Sequence, residues 1–185
     1  MLVVAGFLIA TVCVWRVATN TPQDYADQVA AAVVMRPAPT FEALDADNHL
    51  VRLGAFLGRH KVIVVFFDGE AGADKDAGLL RLRERFDELQ SHDVKVIAVS
   101  SAIPQQNRAA MERGGKFPFP LVSDFDPTSP AGILRIHRQW GRVDEKSERP
   151  RTGVFLVDRR GQIPFGVNGP KPEADVDRAV DAALK

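Results

Sequence analysis

Four carboxylates, Asp68, Glu70, Asp74 and Asp76, fall within nine consecutive residues, and Lys75 sits among them. Carboxylates at that density suit a hard cation, which takes oxygen ligands. The EF-hand pattern fails here, because its central glycine and closing glutamate are missing. A solvated loop with one carboxylate capping the next helix accounts for the same residues. Lys75 is a candidate nucleophile, since the positive end of a helix disfavours its ammonium form. The neighbouring carboxylates oppose that by holding its proton, and an exposed lysine in an acidic loop is the simpler reading. His49, His60, His92 and His137 are scattered without metal-ligand spacing, which predicts surface or edge positions and no metal site. Ser100 and Ser101 lack the glycines of a nucleophile elbow and suit a strand end. The single thiol, Cys13, lies in an apolar N-terminal segment. The rest of the chain therefore has no disulfide framework and no cysteine-ligated zinc.

These residues need elements to position them. Lys61 to Phe67 is an apolar run rich in Val and Phe, which predicts a strand buried on both faces. Asp68-Gly69 stops it, and Glu70 to Asp76 suit an exposed loop. Asp74 or Asp76 can cap a helix in which Leu79, Leu82, Phe86 and Leu89 recur at helical spacing. A buried strand that delivers a loop to a helix N-terminus places free N–H groups and a positive dipole where an anion or thiolate is stabilised.

At 185 residues the chain is long enough for one domain with a substantial core, and its formal net charge is zero. That balance gives no support for nucleic acid or an anionic surface as partner. Met1 to Trp15 is uncharged and almost wholly apolar, and Arg16 ends it. With Val17 and Ala18 it approaches the about 17–25 residues of a spanning helix. The leading expectation is a retained membrane anchor over Met1 to Ala18, its side of the membrane left open. A cleaved signal segment, giving a secreted or periplasmic protein, competes but lacks a basic start. A buried helix of the domain is the remaining alternative. Residues 19–36 read as a connector, with a short helix predicted over Asp24 to Met35.

Residues 37–185 read as one domain. Phe41–Leu44 and Leu50–Leu53 predict a hairpin. Val94–Ser100 predicts a strand parallel to the first apolar run. Pro104–Gly114 predicts a helix with Pro in its first turn. Phe117–Val122 predicts a short strand or extended segment. Ser129–Trp140 predicts a helix with Ile133, Ile136 and Trp140 inward. Gly153–Asp158 and Gln162–Phe165 predict strands joined at Arg159-Arg160-Gly161, and Pro172–Leu184 a closing amphipathic helix.

That order resembles the peroxiredoxin family, the alkyl hydroperoxide reductase and thiol-specific antioxidant group. The carriers are Ala38-Pro39-Thr40-Phe41 with Leu44 and Asp45, the strand Lys61–Phe67, and Val94 to Ser101. Phe117 to Asp124 (FPFPLVSD), Trp140-Gly141, and Phe155 to Asp158 with Gly161 complete the set. The resemblance implies an α/β fold with a thioredoxin-like central mixed sheet flanked by helices, here preceded by an N-terminal membrane helix. The family motif P-x-x-x-T-x-x-C does not carry over. Asp68 falls on its proline, Gly72 on its threonine and Lys75 on its cysteine. The family arginine falls on Thr152, with Arg151 one position away. A lysine cannot cycle through sulfenic acid, so no catalytic residue is intact, and thiol peroxidase chemistry is not expected. No cofactor is implied.

Two functions follow. One is a non-peroxidatic interaction module that presents loop Gly69 to Asp76 to a protein partner. The other is a redox enzyme of the family, acting with an external thiol or by different chemistry. Homodimerisation is implied by the resemblance alone.

Overall fold

The structure, a computed structural model, describes residues 35–125, 134–167 and 172–185. The expected span Met1 to Ala18 and helix Asp24 to Met35 lie outside them, Met35 excepted. No helix among the described residues is long and apolar enough to cross a membrane. In chain order the strands are β1 (Arg36–Pro37), β2 (Glu42–Leu44), β3 (Leu50–Arg52), β4 (Lys61–Phe66), β5 (Val94–Ser100), β6 (Leu121–Ser123), β7 (Gly153–Val157), β8 (Gln162–Ile163) and β9 (Phe165–Val167). The helices are α1 (Ala77–Glu84), α2 (Phe86–Ser91), α3 (Pro104–Gly114), α4 (Arg135–Gln139) and α5 (Pro172–Ala183).

A five-stranded mixed sheet runs β6-β5-β4-β7-β9. β4 lies parallel to β5 and antiparallel to β7. The apolar run therefore becomes the central strand, and its alternate residues fill two cores. Ile63, Val65 and Phe67 face α1, α2 and α5, meeting Leu79, Leu82, Leu89, Val176 and Val180. Val62, Val64 and Phe66 face Phe41, Ile136, Trp140 and Phe155. Each fully buried Leu, Val or Phe contributes about 1.5–3 kcal/mol relative to exposure, which is why this run fixes the sheet's centre. The hairpin β2–β3 and the short pair β1–β8 stand outside the main sheet. Met35–Lys185 forms one compact unit, and the chain is already paired at Arg36 and Pro37, the end of the expected connector.

Several elements depart from the periodicity. The predicted helix that carries Leu79, Leu82, Phe86 and Leu89 kinks at Arg85, where φ is −94° and ψ is 10°. There the Arg85 guanidinium turns to Asp177 and Asp181 on α5. The strand expected over Gln162–Phe165 splits at Pro164, which has no N–H for a ladder. β8 pairs with β1 and β9 with β7. Phe117 and Phe119 are buried but not in a strand, because Pro118 and Pro120 interrupt any pairing. α4 begins only at Arg135, after Leu134 in the left-handed region at φ 57°. Residues 126–133, Ile133 included, lie outside the described set.

Candidate functional site

β4 ends at Phe66, and the segment that follows is held tightly. Asp68 Oδ1 accepts from Glu70 N at 2.9 Å, and Gly72 N donates to Asp68 O at 3.3 Å. Gly72 takes φ 91°, a conformation that favours glycine. Ala73–Lys75 then forms one 3-10 turn in which Ala73 is buried. Asp74 reaches α3, where Arg113 grips it through Nε (3.1 Å) and Nη2 (2.8 Å). That bidentate pair holds the Asp74 carboxyl below the usual carboxylate range. Gly114 lets α3 come close, since a Cβ there would stand 2.5 Å from Asp74 Cβ. Gly69 likewise lies against Ala102. The loop expected to be exposed is thus pinned at Gly69, Ala73 and Asp74. Asp68, Glu70, Ala71 and Lys75 remain exposed.

Asp76 is the cap. Its Oδ1 accepts from Leu79 N at 2.9 Å. Burial pushes its carboxyl above the usual range, and nearby Asp68 adds to that. The helix N-terminus that would stabilise an anion or thiolate is therefore filled by a carboxylate of the chain itself. Lys75 lies just before this cap, exposed, in the 3-10 turn. Three of the four carboxylates are engaged separately: Asp68 closes its own turn, Asp74 pairs with Arg113 and Asp76 caps α1.

A narrow pocket adjoins this cap. Val65, Phe66, Asp76, Gly78, Thr152 and Asp175 are among its walls. Its free volume is about 10 Å³, about enough for one water. Pro172 on α5 closes it, since a Cβ on Gly78 would meet Pro172 Cβ at 3.2 Å. The fold thus brings Thr152 and the start of α1 to the walls of one pocket. Lys75 is not among the walls, and neither is Arg151. Arg151 is exposed and pairs with Asp144 through Nε and Nη2, which holds the Asp144 carboxyl well below its ordinary value.

One arrangement was not anticipated. Asp124, 3% exposed, accepts from Ile136 N (2.9 Å), His137 N (2.8 Å) and His137 Nδ1 (2.6 Å). His137, expected at the surface, is fully buried and meets the Phe66 ring edge-on at 5.0 Å. The twelve-residue separation conceals this cap from local pattern. The Ser-Asp pair before a helical segment was the one available signal.

Comparison with known proteins agrees on the frame. The AhpC/TSA family profile matches residues 34–165. Alkyl hydroperoxide reductase E of Mycobacterium tuberculosis is 30% identical over 128 residues, 69% of this chain and 80% of that protein. Peroxidoxin BcpB of M. tuberculosis superposes with a TM-score of 0.69 at 18% identity, covering 81% of this chain and 94% of that one. Peroxiredoxin Q of Xanthomonas campestris superposes at 0.65 with 19% identity, covering 77% and 89%. Both likenesses concern the thioredoxin-like fold.

Proposed function

The chain belongs to the AhpC/TSA family, and on that premise we propose that it is a membrane-anchored, non-peroxidatic member whose domain serves as an interaction module. The observation that carries this reading is the state of the family's reaction centre. No cysteine follows Cys13, and the motif spacing puts Lys75 at the cysteine position and Thr152 at the arginine position. The pocket lined by Asp76 and Thr152 has room for about one water, and Asp76 fills the helix end that would hold a thiolate.

A thiol peroxidase needs a thiolate as the electron donor to the O–O bond, and this domain contains no thiol. The rigid, partly charged loop is what the frame still offers. Its exposed side chains are Asp68, Glu70, Ala71 and Lys75. The proposed anchor is Met1 to Ala18.

The test uses the full chain carrying Cys13→Ser, incubated with hydrogen peroxide or an organic hydroperoxide, with and without a dithiol donor. Peroxide loss equal to that of a heat-denatured control is expected. Enzymatic turnover sinks the reading. Crosslinking in native membranes tests the module itself: substituting Glu70, Ala71 and Lys75 together should lose a partner that the parent chain captures.

A further inference from the structure

Arg142 follows α4 at the turn toward β7 and is only 6% exposed. Among the described residues no carboxylate pairs with its guanidinium. Its Nε donates to Gly141 O at 2.9 Å and its Nη1 to Thr152 O at 3.3 Å. The group lies over the Phe155 ring, 5.6 Å from the centroid. Gly153 leaves the space, since a Cβ there would stand 3.2 Å from Nη1. Among the described residues the remaining nitrogen, Nη2, has no hydrogen-bond partner, and it is not fully buried. Among the described residues, His137 Nε2 is the one fully buried side-chain nitrogen or oxygen without a partner.

Two further guanidinium groups crowd this charge. Arg151 N donates to Arg142 O at 2.8 Å, which sets the two residues side by side. Arg36 reaches across from β1, its Nη2 3.5 Å from Trp140 O. Burial, then Arg151, then Arg36 push Arg142 below the ordinary arginine range. Asp144 neutralises Arg151 through Nε and Nη2 and leaves its Nη1 without a carboxylate. A desolvated cation beside like charges is costly unless a counter-charge completes it. The planar fork of arginine fits oxyanions geometrically, and charge-assisted bonds of this type are the strong ones.

We propose that Arg142, with Arg36 and Arg151 at its rim, binds a small phosphate-type oxyanion at the turn between α4 and β7. Arg142 does not itself line the pocket beside Asp76, although Thr152 and Gly153, which its guanidinium meets, are among that pocket's walls. It stands whether or not the domain is an interaction module.

The experiment is calorimetric titration of the full chain with inorganic phosphate, at an ionic strength held constant with sodium chloride so that screening does not vary. Saturable binding at one site is expected. Arg142→Met should weaken it at least about ten-fold, the value of one charge-assisted bond. Arg36→Gln should weaken it less. Asp144→Asn, which removes the carboxylate held by Arg151, should tighten it. Circular dichroism checks that Arg142→Met folds, and the opposite shifts of Arg36→Gln and Asp144→Asn carry the test if it does not. Absence of saturable binding overturns the proposal. So does unchanged affinity in a folded Arg142→Met, or in both of the other variants.

Discussion

Asp76 has two opposing effects on the fold. Its carboxylate caps α1, and its burial beside Asp68 penalises the charge that does the capping. Because the folded state holds this carboxyl above its unfolded value, the ionised form destabilises the fold. The penalty is absent below the ordinary carboxylate range, grows as pH rises through it and is complete above the raised folded value. Asparagine also caps but carries no charge. Asp76→Asn should therefore unfold at a higher urea concentration than the parent at pH 7, with the gap closing toward pH 3. Asp76→Ala should lose about 1 kcal/mol near pH 3 and less than that at pH 7, where it also escapes the charge penalty. Asp74 behaves oppositely. Arg113 depresses its folded value, so its contribution is present above the unfolded carboxylate range and is lost as pH falls through the depressed folded value. Asp74→Asn should match the parent in strong acid and fall below it at neutral pH, by urea denaturation. Gly114→Ala should cost about 1–3 kcal/mol, because its Cβ would meet the Asp74 backbone and side chain.

At the scale of elements, α4 depends on a residue that its own sequence does not contain. It is five residues long, too short to stand alone, and Leu134 before it is left-handed. Asp124 on the β6 edge supplies the cap by accepting two backbone N–H groups and the His137 ring. Asp124→Ala leaves three buried donors unpaired and should cost about 3 kcal/mol or more. Loss of near-ultraviolet signal from Trp140, which packs on Phe66 and Phe155, reports the same event. A destabilisation no larger than that of an exposed Asp→Ala control would show that α4 holds by packing alone. Such long-range polar contacts mark the limit of what the sequence disclosed. β4, β5, α1 and α3 were legible because each carries its own period, turn residue or cap within a few positions. Asp74–Arg113, Asp124–His137 and the pairing of β1 with β8 were not, since 39, 13 and about 126 positions separate the partners. The split at Pro164 was legible in principle, because proline cannot donate to a ladder. The assignment of Asp68, Gly72, Lys75 and Thr152 to family positions rests on motif spacing alone. The pinning of the loop and the closure of the pocket by Pro172 belong to tertiary packing.

For the molecule as a whole, the question is whether one residue separates this chain from a peroxidase. A thiol at Lys75 would sit exposed in a 3-10 turn, before the cap rather than inside the first turn of α1. It would face no arginine at Thr152, and Asp76 already takes the N–H of Leu79. Two factors that lower a thiol's pKa, a helix end and a nearby cation, are therefore missing or reversed in sign. The pocket beside Thr152 and Pro172, which Lys75 does not line, has room for about one water and so seats no peroxide. Lys75→Cys in a Cys13→Ser chain should accordingly react with hydrogen peroxide no faster than free cysteine at the same pH, by stopped-flow competition. Adding Gly72→Thr and Thr152→Arg should raise that rate by little, since Asp76 and Pro172 remain. A peroxidase-like rate from Lys75→Cys alone would mean that the frame keeps a working site and lacks only the sulfur. The interaction-module reading would then give way to one of recent catalytic loss.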